Sequence, residues 1–109
     1  MTNGYVTDKA YMGIVPNTLT AQMAMQYRYD ISEGVFISYV EENSPASEAG
    51  LQMGDVITAI DGDEIKGVSD LRAKIAEHSV GDKIELTVQR DNQERKASLT
   101  LEEMPQDNR

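Results

Sequence analysis

Hydrophobic residues fall along this chain in short runs, and the period of each run predicts its element. Tyr11-Met12-Gly13-Ile14-Val15 reads as a short apolar strand with a glycine in its middle, and Pro16-Asn17 is expected to stop it. Thr18 is then placed to cap a helix with Leu19, Met23 and Tyr27 on one face. The Met23/Met25 and Tyr27/Tyr29 pairs fit core and flank packing better than a ligand box. Gly34 opens Val35-Phe36-Ile37-Ser38-Tyr39-Val40, a nearly continuous apolar run suited to a strand buried on both faces and ended by Glu41-Glu42-Asn43.

Ser44-Pro45-Ala46-Ser47-Glu48-Ala49-Gly50 has the form of a miniature helix: Ser44 caps it, Pro45 takes the first position and Gly50 is the left-handed stop. Met53-Gly54-Asp55 turns into the strand Val56 to Ile60, closed by an Asp61-Gly62 turn with a short return through Glu64-Ile65. Ser69 or Asp70 is expected to cap a second main helix that carries Leu71 and Ile75 one turn apart and runs to about His78. After Val80-Gly81-Asp82, Ile84, Leu86 and Val88 alternate with polar residues, and Asp91-Asn92 turns the chain into Ala97, Leu99 and Leu101, predicting a terminal hairpin with one wet face. The sum is an α+β domain: five or six short strands in a small, partly open antiparallel sheet or barrel, capped by two to three helices.

Composition narrows the function classes. The 109 residues fit one domain, and the formal charge of -9 argues against nucleic acid, whose phosphates would be repelled. No apolar run approaches the length of a membrane span, and the start lacks the pattern of a secretory leader. With no cysteine there is no thiolate zinc site and no cysteine nucleophile. The chain carries one histidine, His78, and no G-x-S-x-G loop, so nucleophilic hydrolysis has no visible machinery; near a helix C-terminus His78 suits the dipole instead. Asp61-Gly62-Asp63-Glu64 superficially looks like a calcium loop, but Lys66-Gly67-Val68 breaks the required order of ligands, and a hairpin turn explains it better. No metal, phosphate or cofactor site is expected.

Gly13 remains the feature with a chemical use. Successive N–H groups in a tight loop form an anion-binding nest, and a glycine lets a carboxylate approach without meeting a Cβ. If the following strand is an exposed edge, an extended peptide could add to it while its terminal carboxylate enters the nest. A glycine at a bend or bulge with no ligand is the alternative on this feature alone.

Ser44-Pro45-Ala46-x-x-Ala49-Gly50-Leu51-x-x-Gly54-Asp55-Val56-Ile57, with Gly62 five residues on, is similar to the hallmark run of PDZ domains. The order of elements resembles the permuted bacterial form, in which the carboxylate-binding strand comes near the N-terminus, and Tyr11-Met12-Gly13-Ile14 resembles the family's X-Φ-G-Φ loop. Gly4-Tyr5-Val6, the helix of Leu19 to Tyr29, and Leu71-Arg72-Ala73-x-Ile75 with Val80-Gly81-Asp82 sharpen the resemblance to PDZ domains of HtrA/Deg-type serine proteases. One departure is Asn92, where these domains often carry glycine.

The resemblance implies that the amides of Met12, Gly13 and Ile14 bind a peptide's terminal carboxylate. It further implies a groove in which Ile14 and Val15 supply main-chain partners to the added strand, Tyr11 and Arg72 belong to the peptide strand and pocket, and Met12, Ile14, Leu71 and Ile75 line the pocket; Arg72 and Ala76 could face it instead of Leu71 and Ile75. Lys9 could help to balance the carboxylate, though a solvated lysine suits it as well. Residues 1–9 would be a linker from an absent protease domain or an end artefact, residues 10–103 the PDZ domain, and residues 104–109 a frayed tail. The implied function is capture of hydrophobic C-termini of substrate or misfolded proteins, without catalysis, in the service of a linked serine endopeptidase in an extracytoplasmic compartment. The alternatives are a lid or oligomer contact with a degenerate groove, or a PDZ domain of a carboxyl-terminal processing or intramembrane metalloprotease.

Overall fold

The computed structural model describes residues 10–103. Gly4-Tyr5-Val6, Lys9 and both proposed end segments lie outside them. The elements in chain order are β1 (Ala10–Tyr11), β2 (Ile14–Thr18), α1 (Ala21–Tyr27), β3 (Val35–Val40), α2 (Pro45–Glu48), β4 (Val56–Ile60), β5 (Asp63–Glu64), α3 (Val68–Ala76), β6 (Lys83–Arg90), β7 (Gln93–Thr100) and β8 (Glu102–Glu103). A six-stranded antiparallel sheet runs β2-β3-β4-β6-β7 with β5 beside β4, while β1 and β8 pair separately. Its core joins Val35 and Ile37, Ile57 and Ile60, Ile84, Leu86 and Val88, and Leu99, and the same cluster takes in Met12 and Leu71.

The turns follow from left-handed conformations at the expected residues. Asp61 and Gly62 both have positive φ, as do Asp91 and Asn92, which matches the twist a two-residue hairpin needs. Asn92 also earns its place by side-chain bonds: its Oδ1 accepts from Asp30 N–H at 2.9 Å and its Nδ2 donates to the Arg28 carbonyl at 3.1 Å. The tip of the last hairpin thereby holds the exit of α1.

Several local expectations are corrected. Pro16 and Asn17 do not stop the strand, because β2 continues through them to Thr18, opposite Ile37, Phe36 and Val35. The cap of α1 is Thr20, whose Oγ1 accepts from Met23 N–H at 3.1 Å; Leu19 is buried ahead of the helix, and Met25 is 81% exposed. Tyr27 is half exposed and stacks on Phe36, so it flanks the sheet without entering the core. β3 is buried at Val35 and Ile37 but exposes Tyr39, so it is not covered on both faces throughout. Neither Ser69 nor Asp70 caps α3: its N-cap is Gly67 and it ends at Ala76. Asp70 instead accepts from Lys66 N–H at 3.0 Å. The miniature helix α2 forms as expected, with Ser44 accepting from Ser47 N–H at 3.1 Å.

His78 lies just beyond α3 and fixes its exit. Its Nδ1 donates to the Lys74 carbonyl at 2.8 Å, and Nε2 lies 3.3 Å from Asp61 Oδ2 in the β4–β5 turn. The bond to the Lys74 carbonyl raises the ring's pKa above its ordinary value; desolvation opposes this, and the Asp61 and Asp82 carboxylates add to it. Since the folded value exceeds the unfolded one, the charged ring's contribution is complete below about pH 6.5 and is lost as pH rises through the raised value. The urea midpoint of the wild type is therefore expected to exceed that of His78→Gln most at about pH 5.5 and less at about pH 8.5. A pH-independent gap would limit His78 to packing.

Candidate functional site

The break between β1 and β2 falls at Met12-Gly13, and Gly13 has φ of 88°, in the left-handed region that a residue with a Cβ rarely enters. Two carbonyls of this loop are tied down. Ala46 N–H, at the buried first turn of α2, donates to the Met12 carbonyl at 2.8 Å, and Glu41 N–H donates to the Gly13 carbonyl at 2.8 Å. Met12 and Gly13 are buried, yet among the described residues their own N–H groups donate to no acceptor. A buried donor without a partner costs about 1–3 kcal/mol, which an incoming anion would relieve.

β2 is an end strand of the sheet, with β3 on one side. Ile14 lies opposite Val40 while Glu41 bonds to Gly13, so Ile14 sits at a wide pair and its own N–H and C=O point away from β3. Thr18 lies opposite Val35 while Leu19 N–H bonds to the Gly34 carbonyl at 2.9 Å, which gives Thr18 the same outward orientation. Pro16 falls between them on the same side. Among the described residues, the unpaired edge of β2 therefore starts at the Met12-Gly13-Ile14 amides.

The wall beyond that edge is α3. Thr18 Oγ1 accepts from Val68 N–H at 3.0 Å, taking over the capping task that Gly67 has no side chain to perform. Leu71 is 4% exposed and joins the same cluster as Met12, with Ile14 and Ile75 packed against it. Arg72 and Ala76 are exposed. Met12, Ile14, Leu71 and Ile75 thus belong to one apolar cluster, whereas Val15 is 45% exposed and pairs with Tyr39, so its backbone groups face β3 and, contrary to expectation, are not partners for an added strand. For Tyr11 the structure gives only the backbone pairing with Glu102. A separate cavity of about 560 Å³, lined by Tyr27, Tyr29, Met53, Asp55, Arg90 and Asn92 among others, includes no residue of β2 or α3.

Reading the sequence alone missed three supports of this site: the Ala46 and Glu41 amides that hold the loop and the Thr18 hydroxyl that holds α3. Ala46 and Glu41 act through their backbones, so no side chain signals them. The capping chemistry of Thr18 is visible in the sequence, but it serves α3 and not α1, whose cap is Thr20.

The sequence profile of the PDZ domain matches residues 10–101. The chain belongs to the PDZ domain family. This PDZ domain is 35% identical over 95 residues to the periplasmic serine endoprotease DegP of Escherichia coli strain K12, covering 87% of this chain and 20% of that protein. The same figures hold for DegP of Salmonella typhimurium strain LT2. The chain therefore spans about a fifth of the length of the curated relatives it matches. Among solved structures, it resembles the HtrA3 PDZ domain bound to a phage-derived ligand, FGRWV, with a TM-score of 0.77, 26% identity and coverage of 87% of this chain and 86% of that one. It also resembles the HtrA-type protease AlgW with a decapeptide, with a TM-score of 0.82, 25% identity and coverage of 92% and 31%. The expected α+β PDZ architecture and the kinship with HtrA-type proteases are thus borne out, and a PDZ domain is the non-catalytic module of such proteases.

Proposed function

We propose that this PDZ domain binds the free C-terminus of a peptide in the groove between β2 and α3. The observation that carries the reading is the set of amides at Met12 and Gly13 that have no acceptor among the described residues, continued by the outward N–H of Ile14, at the head of a strand edge that no described strand covers. A carboxylate seated there accepts charge-assisted bonds, the peptide backbone extends the sheet along β2, and its last side chain meets the apolar margin of Met12, Ile14, Leu71 and Ile75. Tyr11 ends β1 just before the loop, Val15 follows Ile14 in β2, and Arg72 is exposed on α3 next to Leu71.

The peptide-bound HtrA3 and AlgW structures support this reading, as does kinship with DegP. In the parent protein, residues 10–103 form the PDZ unit beside a serine endopeptidase domain outside the cytoplasm. There the groove takes hydrophobic C-termini of substrate or misfolded proteins.

The test is a titration of FGRWV with a free carboxylate, and of the same peptide amidated at its C-terminus, followed by fluorescence anisotropy and amide shifts. The free acid is expected to bind with a dissociation constant on the order of micromolar and the amide at least about tenfold more weakly, with shifts centred on Gly13 and Ile14. Equal binding of the two forms sinks the carboxylate seat.

A further inference from the structure

The edge of β2 is interrupted at the place where an added strand needs a donor. The residues whose backbone groups face away from β3 are Ile14, Pro16 and Thr18, as fixed by the Glu41–Gly13 bond at one end and the Leu19–Gly34 bond at the other. The register shift between Val15 and Pro16 does not disturb this order, because the extra residue, Ser38, belongs to β3. Ile14 offers both an N–H and a carbonyl. Pro16 offers a carbonyl alone, since its ring nitrogen carries no proton.

This inference rests on the peptide reading above. A peptide with its carboxylate at the Gly13 loop must run antiparallel to β2. Ile14 then pairs with the last residue, donating to its carboxylate and accepting from its N–H. The next outward position, Pro16, faces the third residue from the end: its carbonyl accepts that residue's N–H, while that residue's own carbonyl meets no donor. Two residues farther, the Thr18 side chain lies against the start of α3: its Oγ1 takes the Val68 N–H, and a Cβ at Gly67 would lie 3.0 Å from Thr18 Cγ2.

We infer that Pro16 is a specificity-determining residue that limits strand addition in this groove to the terminal residues of a peptide, leaving the carbonyl of the third-from-last residue unbonded. A proline on an open strand edge removes a ladder bond and also blunts pairing with stray strands. The domain consequently reads the carboxylate and the last side chain, and gains little from the backbone upstream.

The experiment pairs a protein change with a peptide change. FGRWV and a pool of random pentapeptides ending in Val, Leu, Ile, Met or Phe are titrated into the wild type and Pro16→Ala. Each is also made with an ester in place of the amide that joins its third-from-last and second-from-last residues, which weakens that carbonyl as an acceptor. The wild type is expected to bind amide and ester forms within about twofold, whereas Pro16→Ala binds the amide form about fivefold more tightly and loses that gain with the ester. The amide-to-ester ratio is taken within one protein, so a change in the stability of Pro16→Ala does not mimic it. A fivefold loss with the ester in the wild type, or equal affinities for Pro16→Ala and wild type, overturns the role of Pro16 while leaving peptide binding intact. Binding of none of these peptides by either protein overturns the peptide reading and this inference together.

Discussion

Replacing Gly13 by valine is expected to abolish binding of FGRWV while the domain remains folded. The φ of 88° at this position lies in a region that a β-branched residue enters only at a cost of about 1–3 kcal/mol. The surrounding bonds resist relief of that strain, since the Met12 carbonyl is held by Ala46 and the Gly13 carbonyl by Glu41. If the loop yields, the amides turn away from the seat; if it holds, the new side chain occupies the approach of the anion. Either result removes charge-assisted bonds of about 1.5–3 kcal/mol each, so a loss of affinity of at least about 100-fold is expected. Titration checks it, with far-ultraviolet circular dichroism as the control for folding. Wild-type affinity in Gly13→Val would show that the peptide, if bound, seats its end elsewhere.

The largest expected loss of stability belongs to Arg90→Met. Asp55 is 1% exposed and its carboxylate is met by a forked pair of bonds: Arg90 Nε to Oδ1 at 2.9 Å and Nη2 to Oδ2 at 2.8 Å. Nη2 also donates to the Gly50 carbonyl at 2.8 Å, and Gln52 N–H donates to Oδ2 at 3.0 Å. Methionine keeps the aliphatic bulk but leaves the Asp55 carboxylate, of these donors, only the Gln52 amide, so a buried charge loses its counterion. Breaking such a pair from one side costs about 3–5 kcal/mol, a large part of the stability of a domain this size. Urea denaturation of Arg90→Met should show a loss in that range, and the double variant Asp55→Leu/Arg90→Met should recover much of it, because the stranded carboxylate is gone. A single variant that unfolds within about 0.5 kcal/mol of the wild type would mean that water reaches Asp55 and replaces the guanidinium.

The regular elements were legible where local chemistry decided them. Ser44 and Pro45 start α2, Asp61-Gly62 and Asp91-Asn92 turn the hairpins, and alternation in Ile84, Leu86 and Val88 marks the inner face of β6. Legibility failed where a distant partner decided. Pro16 looked like a terminator because its missing donor matters in a central strand; on the open edge of β2 it costs no internal bond. Thr18 looked like the cap of the helix that follows it, but its hydroxyl serves α3, fifty residues away. Of the site, Gly13 was visible because its conformation demands that residue type, and Leu71 and Ile75 because of their helical spacing. The anchoring amides of Glu41 and Ala46 were not, since any residue but proline supplies one.

The clasp between Thr18 and Val68 has a consequence for how the groove comes into being. Its two walls are strangers in sequence, separated by α1, β3, α2, β4 and β5, so they meet only when that intervening chain has closed on itself. A partly folded copy of the domain, even one with β2 and β3 already paired, has an edge but no opposite wall. On the proposed function, ligand capture is tied to completion of folding, and a peptide held between the two walls would slow their separation, making its binding detectable as protection of amides on α3 and β2 alike.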